Sequence, residues 1–79
     1  MYFYTYVIKS DKDDNLYVGW TVDLSRRILD HNTGKVRATK NRAPFKLVYY
    51  EACTDRKKAI EREKQLKTGF GRAYLKRRL

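Results

Sequence analysis

The chain has 79 residues, 19 of them Lys or Arg and 9 Asp or Glu, for a net charge of +10. A chain this short is one domain at most and hides only about 60% of its unfolded surface on folding, so its core is thin. Its single cysteine excludes an intrachain disulfide and a Cys/His zinc site. The positive field points to a polyanion, DNA or RNA ahead of an anionic membrane, and at 42% hydrophobic the chain is too apolar for a disordered basic tail.

The charge is uneven. Residues 1–34 hold four basic and five acidic side chains; residues 35–79 hold the other fifteen basic groups and four acidic ones. The second part is therefore the expected polyanion-binding half. No apolar stretch approaches the roughly 20 residues of a membrane span, and the aromatic, β-branched opening is unlike an export leader. With one free cysteine, these features lead us to expect a reducing, cytoplasmic setting. No helix sets a broad apolar face against a Lys/Arg face, so no membrane partner is expected.

Residues 2–9, YFYTYVIK, are strand formers, with Tyr2, Tyr4, Tyr6 and Ile8 on one face and Phe3, Thr5 and Val7 on the other. A polar, Asp-rich turn from Ser10 to Asn15 leads into a second strand, Leu16 to Trp20, completing an antiparallel hairpin. Thr21 or Asp23 caps a first helix that Thr33-Gly34 ends. Residues 35–44 form a basic loop with a proline stop, and Phe45 to Ala52 is a third strand. Thr54 or Asp55 caps a second helix reaching about Lys67; Thr68-Gly69-Phe70-Gly71 breaks it, and RAYLKRRL closes the chain as a short basic helix. The expected fold is α+β: a three-stranded antiparallel sheet flanked by helices in the order β-β-α-β-α-(α).

Polar residues on apolar faces are the informative ones. At about 100° per residue, Arg27 and His31 fall on the same side of the first helix as Leu24 and Ile28, and Arg26 falls opposite. In the second helix Glu63 lands inside the arc of Ala59, Ile60 and Leu66, with Glu61 facing water. A carboxylate there needs a cation, a donor set or a metal; Arg27 or His31 would serve, as a plain ion pair between the helices. Alternatively a phenol from Tyr6 or Tyr17, the Arg27 guanidinium, the His31 imidazole and the Glu63 carboxylate converge on one sheet face. Such a set has the chemistry to cleave a phosphodiester: oxygen ligation of a divalent cation, charge stabilisation and proton transfer from water.

Tyr4-Thr5-Tyr6, Tyr17-Val18-Gly19, Asp23-Leu24-Ser25-Arg26-Arg27-Ile28, His31-Asn32-Thr33-Gly34, the strand FKLVYYE and the segment AIEREKQLK follow one another along the chain. In that order and spacing they resemble the GIY-YIG nuclease superfamily. The likeness is to its small stand-alone members, and so to the N-terminal nuclease domain of the bacterial excision-repair endonuclease. It covers nearly the whole of residues 1–79 as a single domain. It implies a metal-dependent DNA endonuclease, acting in repair or processing of structured DNA, with one Mg²⁺ or Mn²⁺ and no small-molecule cofactor.

By the same resemblance Tyr6 and Tyr17 are the motif tyrosines, Gly19 is the glycine where a side chain would crowd the site, and Arg27 is the phosphate-facing arginine. His31 occupies a His-or-Tyr position, and Glu63 is the single metal-binding glutamate. Either tyrosine serves as the base. Lys35, Arg37, Lys40 and Arg42 on the loop, and Arg72, Lys76, Arg77 and Arg78 at the tail, are expected to grip the backbone without reading sequence. Three positions depart from the family pattern. Tyr4 stands for the first-motif glycine, Trp20 stands for a basic residue after the second motif, and no asparagine follows Asn41. The alternative reading is a nucleic-acid-binding module, for DNA or structured RNA, with the fold but not the chemistry.

Overall fold

The computed structural model describes all 79 residues. Strands β1 (Phe3–Ser10), β2 (Leu16–Thr21) and β3 (Phe45–Cys53) form one antiparallel sheet in the order β2-β1-β3. Helices α1 (Leu24–Asn32), α2 (Arg56–Leu66) and α3 (Gly69–Lys76) complete the expected α+β order. The hairpin turn closes with Asp14 at φ 64°, a left-handed conformation that Asp tolerates.

Capping chemistry sets the helix ends. Asp23 accepts a hydrogen bond from the Arg26 amide to start α1, and Asp55 accepts from the Lys57 and Lys58 amides to start α2. At the end of α1, Gly34 adopts φ 77°, so that the Lys35 amide donates back to the Asp30 carbonyl and the Gly34 amide to that of His31. The third helix departs from expectation. α2 ends at Leu66 as expected, but the Gly-rich segment is the first turn of α3 rather than a spacer before it: Thr68 caps α3 by accepting from the Gly71 amide, and the helix begins at Gly69. Gly71 lies directly against the Leu66 backbone, where no Cβ fits; it is there to let two consecutive helices turn tightly. The basic loop also contains a 3-10 turn, Arg37–Thr39.

Both faces of the sheet are covered. Thr5, Tyr6, Val7 and Ile8 are all buried in succession, because β1 is the central strand and is sandwiched between helices. On one face Tyr6, Ile8 and Phe45 pack with Tyr17, Leu24 and Ile28, so α1 lies there. On the other Val7, Val18, Leu66 and Leu75 pack with Val48, Tyr49 and Tyr74, so α2 and α3 lie there. The Thr5 hydroxyl donates to the Ala59 carbonyl and ties α2 to that second face. The expectation that both long helices aim their polar groups at a single sheet face is therefore overturned. Helical angles give the inward side of a helix, while the path of the chain decides which face of the sheet receives it.

Candidate active site

Tyr6 is the centre of the arrangement. It is fully buried and pairs across the hairpin with Gly19. A Cβ at Gly19 would sit 2.5 Å from the Tyr6 hydroxyl oxygen, so the glycine opens the space the phenol fills. Tyr6 and Tyr17 are not directly opposite each other. Tyr17 pairs with Ile8, which puts the two tyrosines on one face, a step apart along the ladder. His31 joins them: its ring centroid is 5.7 Å from that of Tyr6 and 5.0 Å from that of Tyr17, both edge-on.

A chain of hydrogen bonds runs through these groups. The Arg27 Nε–H donates to the Tyr6 hydroxyl at 3.3 Å; that hydroxyl is 2.7 Å from His31 Nε2; His31 Nδ1 is 2.7 Å from the Thr39 hydroxyl. His31 and Thr39 are both fully buried. Burial, and then the Arg27 charge, pull the His31 pKa down to about 4, against a smaller opposing effect of Asp30. The ring is therefore neutral at pH 7 and donates at one nitrogen while accepting at the other. The relay runs from Tyr6 to Thr39 or from Thr39 to Tyr6; in the second direction Tyr6 accepts from both His31 and Arg27, the arrangement that stabilises a phenolate. Burial pushes the Tyr6 pKa up, and the hydrogen bond and charge of Arg27 offset this only in part.

Glu63 approaches from α2. Its expected partners, Arg27 and His31, do not pair with it: it forms an ion pair with Lys67, one turn along its own helix, at 3.1 Å. α2 packs on the sheet face opposite α1, so neither α1 side chain meets Glu63 head-on. Lys67 Nζ also lies 5.9 Å from the Tyr17 ring centroid, so one ammonium neighbours both the carboxylate and the phenol. The negative charge of Glu63 is felt at Tyr6, where it raises the phenol pKa further. Glu63 is only 15% exposed, and no three His, Cys, Asp or Glu side chains come together as a ligand set. A cation here would rest on Glu63 alone, its other positions filled by water and phosphate oxygens, a donor set that suits a hard ion such as Mg²⁺. The residues present fit that group.

The expected backbone-gripping residues divide. Lys35, Arg37 and Lys40 are exposed on the loop that carries Thr39. Arg42 is committed elsewhere: it bonds Asp13 at 2.8 Å and lies 5.5 Å over the Phe45 ring. Arg72, Lys76, Arg77 and Arg78 are exposed on α3 and just beyond it. Two participants were missed. Thr39 sits in a stretch that reads as a basic spacer, and its only sequence signal is being uncharged among cations. Lys67, four residues after Glu63, has the helical ion-pair spacing that could have identified it.

Two residues of β3 form a second polar cluster. Arg62 grips the Glu51 carboxylate through two nitrogens, Tyr49 donates to the same carboxylate at 2.6 Å, and Tyr74 lies 2.9 Å from Tyr49. Burial raises the Glu51 pKa, but the Arg62 and Tyr49 bonds outweigh it and leave the group ionised. Every member is satisfied within the cluster, which reads as a clasp between β3 and α2.

A family model described as the GIY-YIG catalytic domain matches residues 2–77. A UPF0213 protein of Haloquadratum walsbyi is 37% identical over 68 residues, 85% of this chain and 75% of that one. A UPF0213 protein of Clostridium perfringens is 43% identical over 65 residues, 81% of this chain and 69% of that one. The solution NMR structure of a UPF0213 protein from Bacillus halodurans superposes with a TM-score of 0.58 at 32% identity, covering 95% of this chain and 82% of that one.

Proposed function

The chain belongs to the GIY-YIG catalytic domain family, a nuclease superfamily, and on that premise we propose that it is a metal-dependent endonuclease hydrolysing phosphodiester bonds in DNA. The observation that supports this reading most is the buried relay Arg27–Tyr6–His31–Thr39 beside Tyr17. A structural role alone does not call for a guanidinium held by its Nε, which leaves its two terminal nitrogens free for a phosphate.

In this reading Arg27 binds the scissile phosphate and stabilises the charge that builds on it, and Tyr6 is a positioning residue that fixes Arg27 and His31. Tyr17 is the phenol nearest substrate. It is half-buried and lines an open pocket of about 210 Å³ with Lys67 and Arg72, whereas Tyr6 has no exposed surface. Tyr17 takes the proton of the attacking water. Glu63 would hold a Mg²⁺ or Mn²⁺ ion, which supplies Lewis-acid stabilisation of the phosphoryl oxygens when bound. Lys67 would then exchange its carboxylate partner for the substrate phosphate.

The test is cleavage of nicked, branched and single-stranded DNA by the pure protein. Cutting is expected with Mg²⁺ or Mn²⁺, abolished by chelator and reduced about 10³-fold or more in Glu63→Gln. A protein that binds DNA and ignores both chelator and Glu63→Gln is a binding module, and the proposal fails.

A further inference from the structure

A large groove lies away from the relay. It has a volume of about 630 Å³ and runs across the hairpin end of the sheet, under α3. Leu16, Val48 and Leu79 are its apolar lining; Lys9, Lys46, Arg72, Lys76 and Arg78 supply its charge, with Asp14 the one acidic side chain in the lining. Lys9 and Lys46 are direct cross-strand partners. Two ammonium groups side by side on one face repel, and their pairing with Asp14 at 3.4 Å and Asp11 at 3.8 Å is with mostly exposed carboxylates. Arg78 is held in place from beneath: its guanidinium lies 3.5 Å over the Tyr74 ring and donates to the Tyr74 carbonyl at 3.1 Å.

The groove neighbours the Tyr17 pocket. Leu16 and Arg72 line both cavities, and the smaller one holds Tyr17 and Lys67. Cations therefore line both cavities: Lys67 and Arg72 beside Tyr17, and Arg72, Lys76, Lys46 and Lys9 in the groove. No aromatic ring lines the groove, so it offers no platform for stacking bases. It offers cations spaced along an apolar floor, which matches a phosphate backbone whose sugars pack below.

We propose that this groove is the DNA backbone track of the protein, carrying the strand from the Tyr17 pocket across α3 to the Lys9–Lys46 pair. Lys9, Lys46 and Lys67 are thereby substrate-binding residues, and the α3 side of the sheet, rather than the α1 loop with Lys35, Arg37 and Lys40, takes the main grip. The inference rests on the reading of DNA as the substrate.

The experiment is fluorescence anisotropy with a labelled branched DNA in EDTA, over a series of salt concentrations. It compares Lys46→Glu/Lys76→Glu with Lys57→Glu/Lys64→Glu, a pair of the same net charge on the outward face of α2. The groove pair is expected to weaken binding at least about 10-fold more than the control pair and to lower the slope of log K against log salt by about 2, one per lost phosphate contact. Equal weakening by the two pairs overturns the track. Cleavage by the unmodified protein is measured separately with Mg²⁺: groove-specific binding without cutting sinks the endonuclease reading and keeps the track, whereas cutting without a groove-specific loss sinks the track alone.

Discussion

The two faces of the sheet share the strand β1 and differ in what they bury. Under α2 and α3 the enclosed side chains are Val7, Val18, Leu66 and Leu75, an ordinary apolar contact. Under α1 the same strand buries Tyr6 against His31, with Arg27 and Thr39 extending a line of hydrogen bonds. A 79-residue chain has little apolar area to spare, yet beside Ile8 and Phe45 it buries His31 and Thr39 completely, polar groups that must be paired. One face is thus mainly apolar packing and the other adds the polar relay, with Lys67 neighbouring both Glu63 and the Tyr17 ring.

If that division holds, substitutions on the two faces should have different signatures. The largest effect is expected from Tyr17→Phe, which removes one hydroxyl from a half-buried side chain. Metal-dependent DNA cleavage should fall about 10²–10⁴-fold, the usual contribution of a general base, with the urea midpoint almost unchanged. Retained cleavage would move the base to Tyr6 and the chemistry deeper into the α1 face.

Next is Leu66→Ala on the opposite face. Leu66 is 1% exposed, and truncating a buried leucine costs about 2–5 kcal/mol. Urea unfolding should register that loss, while cleavage per folded molecule falls far less than in Tyr17→Phe, although Leu66 also lines the Tyr17 pocket. A large fall in cleavage at full folding would show that the two faces are not separable.

The smallest effect sharpens the comparison through pH. Native His31 takes up its proton near pH 4, against an ordinary value of 6.5. Between those values the unfolded chain holds the extra proton, so stability is full above pH 6.5 and declines as the pH falls, by up to about 3 kcal/mol at pH 4. His31→Tyr lacks this titration. Urea unfolding at pH 7.5 and 4.5 should show a smaller acid loss in the variant than in the parent; equal losses would mean that the α1 face does not penalise the charged ring.

Much of this was legible in the sequence, for reasons that also explain what was not. The 3.6-residue period placed Arg27 inward and Arg26 outward, and Glu63 inward and Glu61 outward; the exposures of these side chains agree. The same period carries no information on which sheet face a helix covers, and so it put Glu63 beside Arg27 and His31 when α2 lies across the sheet. Alternation sorted β1 correctly, with Tyr6 and Ile8 on the α1 face and Thr5 and Val7 on the other, but it does not say that a central strand under two layers buries both of its faces. Gly71 looked like a helix breaker because its role, closeness to the Leu66 backbone, exists only once two helices are packed. Thr39 became part of the relay through a loop that returns to His31, and no local pattern encodes that return.

The position of β1 sets the motions open to the buried relay. This strand is hydrogen-bonded along both edges and covered above and below, so its amides have no partial opening short of global unfolding and should be the slowest in the chain to exchange with deuterium. Tyr6 sits in the middle of it. A phenol mounted there cannot fluctuate independently of the fold, and Arg27 and His31, bonded to it, inherit the same stillness. The geometry of the relay should therefore persist unaltered up to the melting transition and vanish with it in a single step.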